Sequence, residues 1–159
     1  MTGYRSGAAI AEFWAHCEAL EAWKDHPCLT NSGIPRDRLL PLLIHCDGAE
    51  FYNNTEFVVW SVGSALSEGH VWDIKFPIAC VPHEAMVDPN VKNAVNQLIA
   101  QVVGWSLRQA ARGEAPATGC FGETLEGDRA QMAGSELALG WRACYFGSKY
   151  DAKARKEIN

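Results

Sequence analysis

The N-terminal part of the chain repeats its apolar positions with the period of an α-helix. The residues of this repeat are Ile10, Phe13, Trp14, Cys17, Leu20 and Trp23. Their spacing predicts an amphipathic helix over residues 7–24, with Ser6 as its N-cap. The Asp-His-Pro sequence at 25–27 ends this helix. Residues 28–38 are rich in Asn, Ser, Gly and Pro, so we expect a loop there.

Three mainly apolar runs follow, and each predicts a strand. The runs are Leu39 to Cys46, Glu56 to Leu66 and Val71 to Val81. The first is almost wholly apolar, which is typical of a strand covered on both faces. Turns predicted at Asn53-Asn54 and Glu68-Gly69 are short, so we expect the three strands to form an antiparallel meander. Pro77 in the third run indicates a bulge or an edge strand.

A helical period returns after the third strand. Asp88 is a good N-cap, Pro89 suits the first helical position, and Gly113 is a typical closing residue. The apolar residues that line one face of this predicted helix are Val91, Val95, Leu98, Val102 and Trp105.

The C-terminal part of the chain completes the predicted topology. Residues 113–135 contain several glycines and predict a loop, and Leu137 to Phe146 predict a strand or a strand preceded by a turn. Asp151 to Glu157 predict the start of a last helix. The crossover through the long helix places the fourth strand parallel to the first and beside it. The sequence therefore predicts a mixed α/β fold, with an N-terminal helix and linker at 1–38 and the main domain at 39–159.

Composition and charge narrow the class of protein. The chain has 159 residues and is 48% hydrophobic, which suits one ordinary globular domain and excludes disordered and fibrous classes. It carries 14 basic and 19 acidic residues, and this net charge of −5 argues against a freestanding nucleic-acid binder. No segment has the pattern of a membrane span or a secretion signal, so we expect an intracellular protein, cytoplasmic or nuclear, without membrane contact. The C-terminal tail holds a basic cluster of Lys149, Lys153, Arg155 and Lys156. This cluster is interpreted either as a solvated helix or as a surface that contacts phosphate.

The cysteines form no local motif. They are Cys17, Cys28, Cys46, Cys80, Cys120 and Cys144, and no two make a C-x-x-C pair. Most lie in apolar stretches, which favours free thiols in a reducing compartment. A zinc site from His16, Cys17, His26 and Cys28 is an alternative, although the break at Pro27 opposes convergence of these four ligands.

Two aspartates are the candidate functional residues. Asp47 ends the most apolar strand, and Asp151 follows the fourth strand. Because these strands are predicted to be neighbours, the two carboxylates are expected to meet at one edge of the sheet. Paired carboxylate oxygens suit Mg²⁺ or Mn²⁺, and two such ions support phosphodiester cleavage. The structural alternatives are a turn cap at Asp47 and a helix N-cap at Asp151.

The Asp-Gly-Ala sequence at 47–49, followed by strand, strand, helix, strand and acid, resembles the ribonuclease H-like superfamily of ribonucleases H, integrases and transposases. The resemblance spans residues 39–157. It implies a mixed sheet in which Asp47 on the first strand and Asp151 after the fourth are catalytic metal ligands. DNA or RNA would be the substrate. The chain departs from the superfamily because none of its residues occupies the position of the superfamily's third carboxylate. The acidic residues that could substitute for it are Glu84, Glu136 and Glu157.

Three passages, HCDGAEFYNNTEF, FPIACVPHEAM and GWRACYFGSKYDAKARKE, resemble an uncharacterised high-copy protein family of dinoflagellate algae. That family has the look of mobile-element remnants and brings no established activity. Both resemblances together imply an incomplete or inactive nuclease or transposase core fragment. The alternative is a non-enzymatic interaction or scaffold domain. An incomplete sheet would leave an open edge, which favours a homo-oligomer or a longer parent chain.

Overall fold

The structure is a computed structural model that describes residues 6–30, 33–50, 56–68, 74–86 and 88–150. Its α-helices and strands are α1 (Gly7–Glu18), α2 (Pro27–Thr30), α3 (Pro89–Arg112), α4 (Gly127–Gln131), β1 (Leu39–Glu50), β2 (Glu56–Ser64), β3 (Phe76–Pro82) and β4 (Arg142–Tyr150). Short 3-10 turns are formed by Arg36–Arg38, His83–Met86 and Ala138–Gly140. The predicted α/β class is confirmed.

One mixed sheet contains all four strands, in the order β3-β2-β1-β4. The β1/β2 and β2/β3 pairs are antiparallel. Since the sheet is mixed, β4 runs parallel to its neighbour β1. The predicted meander and the predicted place of the fourth strand are thus confirmed. The turn expected at Asn53-Asn54, the beginning of the third predicted strand at Val71 and the helix expected from Asp151 lie outside the described residues.

The outer strand β3 carries the irregularity that Pro77 predicted. Trp60 of β2 lies opposite Ala79, whereas the next residue, Ser61, lies opposite Pro77. Ile78 is therefore an extra residue, as in a β-bulge. Proline has no N–H to give to a sheet ladder, and both an outer strand and a bulge tolerate that loss.

Strand β1 is longer than its apolar run. It continues to Glu50, and Asp47 pairs with Val59 while Gly48 pairs with Val58. The expectation that Asp47 ends the strand is therefore wrong, as is the alternative that it caps a turn. The ladder to β2 holds the backbone extended beyond the last apolar position.

Helix α1 begins where the sequence predicts it and ends earlier. Its buried residues Ile10, Trp14 and Cys17 have helical spacing, and the indole N–H of Trp14 donates to the buried carbonyl of Leu39 at 2.6 Å. The helix ends at Glu18 rather than at residue 24. Successive turns, most of them closed by hydrogen bonds over three residues, replace its predicted last part. The expected loop at 28–38 likewise contains α2 and a 3-10 turn.

Helix α3 has the predicted bounds. The Asp88 carboxylate accepts a hydrogen bond from the Asn90 backbone N–H at 2.8 Å, and Gly113 follows the last turn with a φ of +69°. Its apolar face is covered only in part, because Val91 and Leu98 are exposed. The segment after α3 is mainly loop, as expected, with two isolated β-bridges and the short helix α4.

The described residues form two compact units, each built from two stretches of chain. The sheet unit contains Leu42–Val103 and 145–150, and the helix–loop unit contains 6–41 and Gly104–Cys144. The domain boundary predicted at residue 38 stays a prediction.

Candidate functional site

Asp47 lies on the solvent-exposed part of β1. It pairs with Val59 of β2, and its side chain is exposed. Because successive residues of a strand point to opposite faces, Asp47 shares a face with His45, while the buried Cys46 points to the other. Its carboxylate has no hydrogen-bond or ion-pair partner among the residues that the structure describes. The exposed Asp47 side chain is in contact with solvent.

Strand β4 lies beside β1 on the side away from β2. Gly147 of β4 is close to Leu43 of β1, since a Cβ added at Gly147 would lie 3.7 Å from Leu43 Cδ2. Asp151, the second predicted ligand, directly follows β4 in the sequence and lies outside the described residues. The expected pairing of the two carboxylates stays a prediction.

The candidates for a third carboxylate are dispersed along the chain. Helix α3 contains no acidic residue. Glu84 is exposed on the 3-10 turn after β3, and Glu136 is exposed in a β-bridge with Glu114. Glu157 lies outside the described residues. Of the predicted catalytic acids, Asp47 alone lies in the described part of the sheet.

The helix–loop unit contains a second group of candidate ligands, which sequence reasoning missed as a set. Cys28 and Cys144 form a disulfide across a sequence separation of 116, with their Cα atoms 6.2 Å apart. The His26 ring lies beside this bond. Its Nδ1 accepts a hydrogen bond from the Cys28 backbone N–H at 3.3 Å and lies 3.9 Å from Cys144 Sγ.

The disulfide corrects the expectation of free thiols for Cys28 and Cys144. It also changes the expected ligand set. His16 is exposed and Cys17 buried on α1, and neither belongs to the cluster of His26, Cys28 and Cys144. Cys144 lies in β4, far along the chain from Cys28, and nothing in the local sequence around Cys28 indicates this partner. Only the predicted position of β4 could have suggested a pairing, and strand order alone does not select one cysteine.

Burial changes the titration of two side chains in this unit. It lowers the pKa of the His26 imidazole, because desolvation disfavours the charged ring. It raises the pKa of the Cys17 thiol, and the negative charge of Glu18 raises it further. Burial therefore favours the neutral imidazole of His26, which is the form that binds metal ions.

Comparison of the chain with models of protein families, with curated proteins and with solved structures gives no significant match. Within the described ranges, no helix is both long enough and apolar enough to cross a membrane.

Proposed function

We propose that this chain is a divalent-metal-dependent, phosphodiester-processing domain of ribonuclease H-like type, derived from a mobile element and incomplete as a catalyst. The observation that carries the proposal is Asp47. It is an exposed carboxylate, without a partner among the described residues, on the strand that lies between β2 and β4.

The sheet topology supports the proposal. The resemblance seen in the sequence implies a mixed sheet with three consecutive antiparallel strands, a crossover helix and a fourth strand beside the first. The order β3-β2-β1-β4 with α3 between β3 and β4 has this form. A topology can serve many functions, so it supports the fold and leaves the chemistry to the carboxylates.

The spacing along the two parallel strands supports Asp151 as the partner of Asp47. Leu43 and Gly147 are neighbours in β1 and β4. Their sequence numbers differ by 147 − 43 = 104, and those of Asp47 and Asp151 differ by 151 − 47 = 104. Parallel strands advance at the same rise per residue, so an equal offset is what neighbouring ligands on these strands require.

The chemistry follows from the type of ligand. Carboxylate oxygens are hard ligands that suit Mg²⁺ or Mn²⁺, and a bound pair of such ions activates water and stabilises the leaving oxygen of a phosphodiester. Asp47 and Asp151 would hold the metal in this role. Because α3 supplies no carboxylate, we expect weak metal binding and slow cleavage of DNA or RNA.

The second candidate is a non-enzymatic interaction domain. It is favoured by the absence of an acidic residue from α3 and by apolar side chains on the outer strand β3, where Phe76 and Ile78 are exposed. A strand with exposed apolar residues and an open edge is suited to pairing with another chain, including a second copy.

Manganese titration followed by NMR tests the proposal. Paramagnetic Mn²⁺ is expected to broaden amide signals around Asp47 selectively, and Asp47→Asn or Asp151→Asn should abolish this broadening. Asp128→Asn is the matched control, because Asp128 is an exposed carboxylate on α4, outside the sheet unit. In the Asp128→Asn variant, Mn²⁺ should broaden the amide signals around Asp47 as much as in the wild type.

Broadening that is absent, or that Asp47→Asn leaves unchanged, would refute the metal site. Localised broadening without Mn²⁺-dependent cleavage of labelled DNA or RNA would leave the metal ligands in place and refute the catalytic part. The chain would then be an interaction domain.

A further inference from the structure

We propose that His26, Cys28 and Cys144 form a zinc-binding site when the disulfide between the two cysteines is reduced. The three side chains would then alternate between a disulfide beside a histidine and a zinc–thiolate centre. This site lies wholly within the helix–loop unit. It involves neither Asp47 nor Asp151, so it stands independently of the proposed function.

The spacing of the ligand atoms fits a tetrahedral metal. The His26 ring nitrogen and the sulfurs of Cys28 and Cys144 all lie within 4.8 Å of one another. Zinc bonds of about 2.3 Å to sulfur and about 2.0–2.1 Å to nitrogen set tetrahedral edges of about 3.8 Å between two sulfurs and about 3.6 Å between sulfur and nitrogen. The distance of 3.9 Å from His26 Nδ1 to Cys144 Sγ is already close to such an edge. The two sulfurs must separate from their disulfide bond, and reduction permits this.

The histidine presents its lone pair to the cluster. Nδ1 accepts a hydrogen bond from the Cys28 backbone N–H at 3.3 Å, which assigns the ring proton to Nε2. The same Nδ1 lies 3.9 Å from Cys144 Sγ, and Zn²⁺ would take over the lone pair that accepts the Cys28 hydrogen bond. An unprotonated ring nitrogen beside two thiols is the ligand set that borderline-soft ions such as Zn²⁺ select, whereas Mg²⁺ and Ca²⁺ prefer oxygen.

The surrounding structure holds the ligands without the disulfide. The Arg36 guanidinium donates hydrogen bonds to the carbonyls of Cys28 and Leu29, at 2.9 and 2.5 Å, and to the Glu18 carboxylate at 2.9 Å. These bonds fix α2, which carries Cys28. Cys144 is fully buried at the start of β4. Such support limits the rearrangement that metal binding would require.

Two of the three ligands in the cluster are accessible from solvent. The residues His26 and Cys28 are partly exposed, and no fourth His, Cys, Asp or Glu of the described chain joins the cluster. Three protein ligands leave one tetrahedral position for water, which is the arrangement of zinc sites open to other molecules.

Conversion between the two states balances as a thiol–disulfide exchange. A small dithiol passes two electrons and two protons to the Cys28–Cys144 bond, becomes a cyclic disulfide and leaves two thiols on the chain. Zn²⁺ then binds and displaces the two thiol protons. A disulfide oxidant reverses the sequence and releases the ion.

Zinc binding by the full-length chain tests the proposal. The chain is reduced with a water-soluble phosphine, which takes up one oxygen from water to become the phosphine oxide, and is then desalted without oxygen. Native mass spectrometry after addition of Zn²⁺ should show one ion bound per reduced chain and none per oxidised chain. Replacement of Zn²⁺ by Co²⁺ should give the thiolate charge-transfer absorption of a tetrahedral site.

Variants of the ligands provide the control. Cys28→Ser and Cys144→Ser should each weaken Zn²⁺ binding by more than about tenfold, a loss that even an outer-sphere substitution causes. His26→Gln should weaken it as well. Cys80→Ser is the matched control, because this exposed thiol lies in the sheet unit. The Zn²⁺ affinity of the Cys80→Ser variant should equal that of the wild type.

A reduced wild-type chain that binds no Zn²⁺, or cysteine variants that bind as tightly as the wild type, would overturn the proposal. Co²⁺ absorption of the reduced wild type decides the matter if a variant does not fold. Asp47→Asn should leave zinc binding unchanged, which separates this result from the test of the nuclease site.

Discussion

Cys17 and Cys80 carry the same thiol in opposite surroundings. Cys17 is 3% exposed on α1, whereas Cys80 is exposed on the outer strand β3. Burial raises the pKa of the Cys17 thiol, and the neighbouring Glu18 carboxylate raises it further. Since the thiolate is the reactive form, Cys17 is both shielded from reagents and protonated over a wider pH range.

Cys17 and Cys80 should therefore be alkylated at different rates. In the folded chain at about pH 8, near the ordinary pKa of a thiol, we expect iodoacetamide to modify Cys80 and to leave Cys17 largely unmodified. The rise in Cys17 reactivity with pH should come above the pH at which an ordinary thiol ionises, because burial and Glu18 raise its pKa. Mass spectrometry of the peptides measures both, and the two thiols should react alike in urea. Equal rates in the folded chain would contradict this account.

At the scale of elements, the junction after α3 depends on one glycine and one arginine. Gly113 has a φ of +69°, a conformation that favours glycine, and its carbonyl accepts a hydrogen bond from the Arg142 guanidinium at 3.3 Å. A Cβ at this position would collide with that guanidinium. The end of α3 and the start of β4 are therefore joined at a position where a side chain would be strained and would have to displace Arg142.

Gly113→Ala tests this junction, with Gly127→Ala as its matched control. Gly127 has a similar φ of +58°, but a Cβ there would meet nothing within 4 Å. We expect Gly127→Ala to lower the free energy of unfolding by about 1–2 kcal/mol through backbone strain alone. Gly113→Ala should lower it by at least about 1 kcal/mol more, because Arg142 must move and its hydrogen bond is lost. Urea denaturation measures both, and equal losses would show that Arg142 is not displaced.

At the scale of the whole molecule, the disulfide connects the two stretches of chain that build the helix–loop unit. Cys28 belongs to the first stretch and Cys144 to the second, with a sequence separation of 116. A covalent link that closes so long a loop restricts the unfolded chain strongly.

Reduction in the presence of a chelator should therefore destabilise the protein. Without metal, we expect the free energy of unfolding to fall by about 2–5 kcal/mol, the usual range for loss of a native disulfide. The measurement is urea denaturation with and without reductant. The double variant Cys28→Ser/Cys144→Ser should be as unstable as the reduced chain and insensitive to reductant. An unfolding midpoint of the wild type that reductant does not shift would refute this role.

Patterns of short range predicted most of the elements and their order. The ends of α3 follow from Asp88-Pro89 and Gly113, and the bulge in β3 follows from Pro77. The end of α1 and the length of β1 were predicted less well. Helical periodicity continues past Glu18 although the backbone does not, and pairing with β2 extends β1 past its last apolar residue.

The candidate sites likewise depended partly on the local sequence and partly on the tertiary structure. The sequence determined Asp47 as a candidate because an acid that follows an apolar run can be recognised locally. It also determined the place of β4, because crossover connections between strands are restricted to a few arrangements. Only the tertiary structure decided that His26 and Cys28 meet Cys144, and that Val91 and Leu98 on the apolar face of α3 are exposed. Periodicity reports which face of an element is apolar. It does not report what covers that face, because contacts between distant parts of the chain depend on how the whole chain packs.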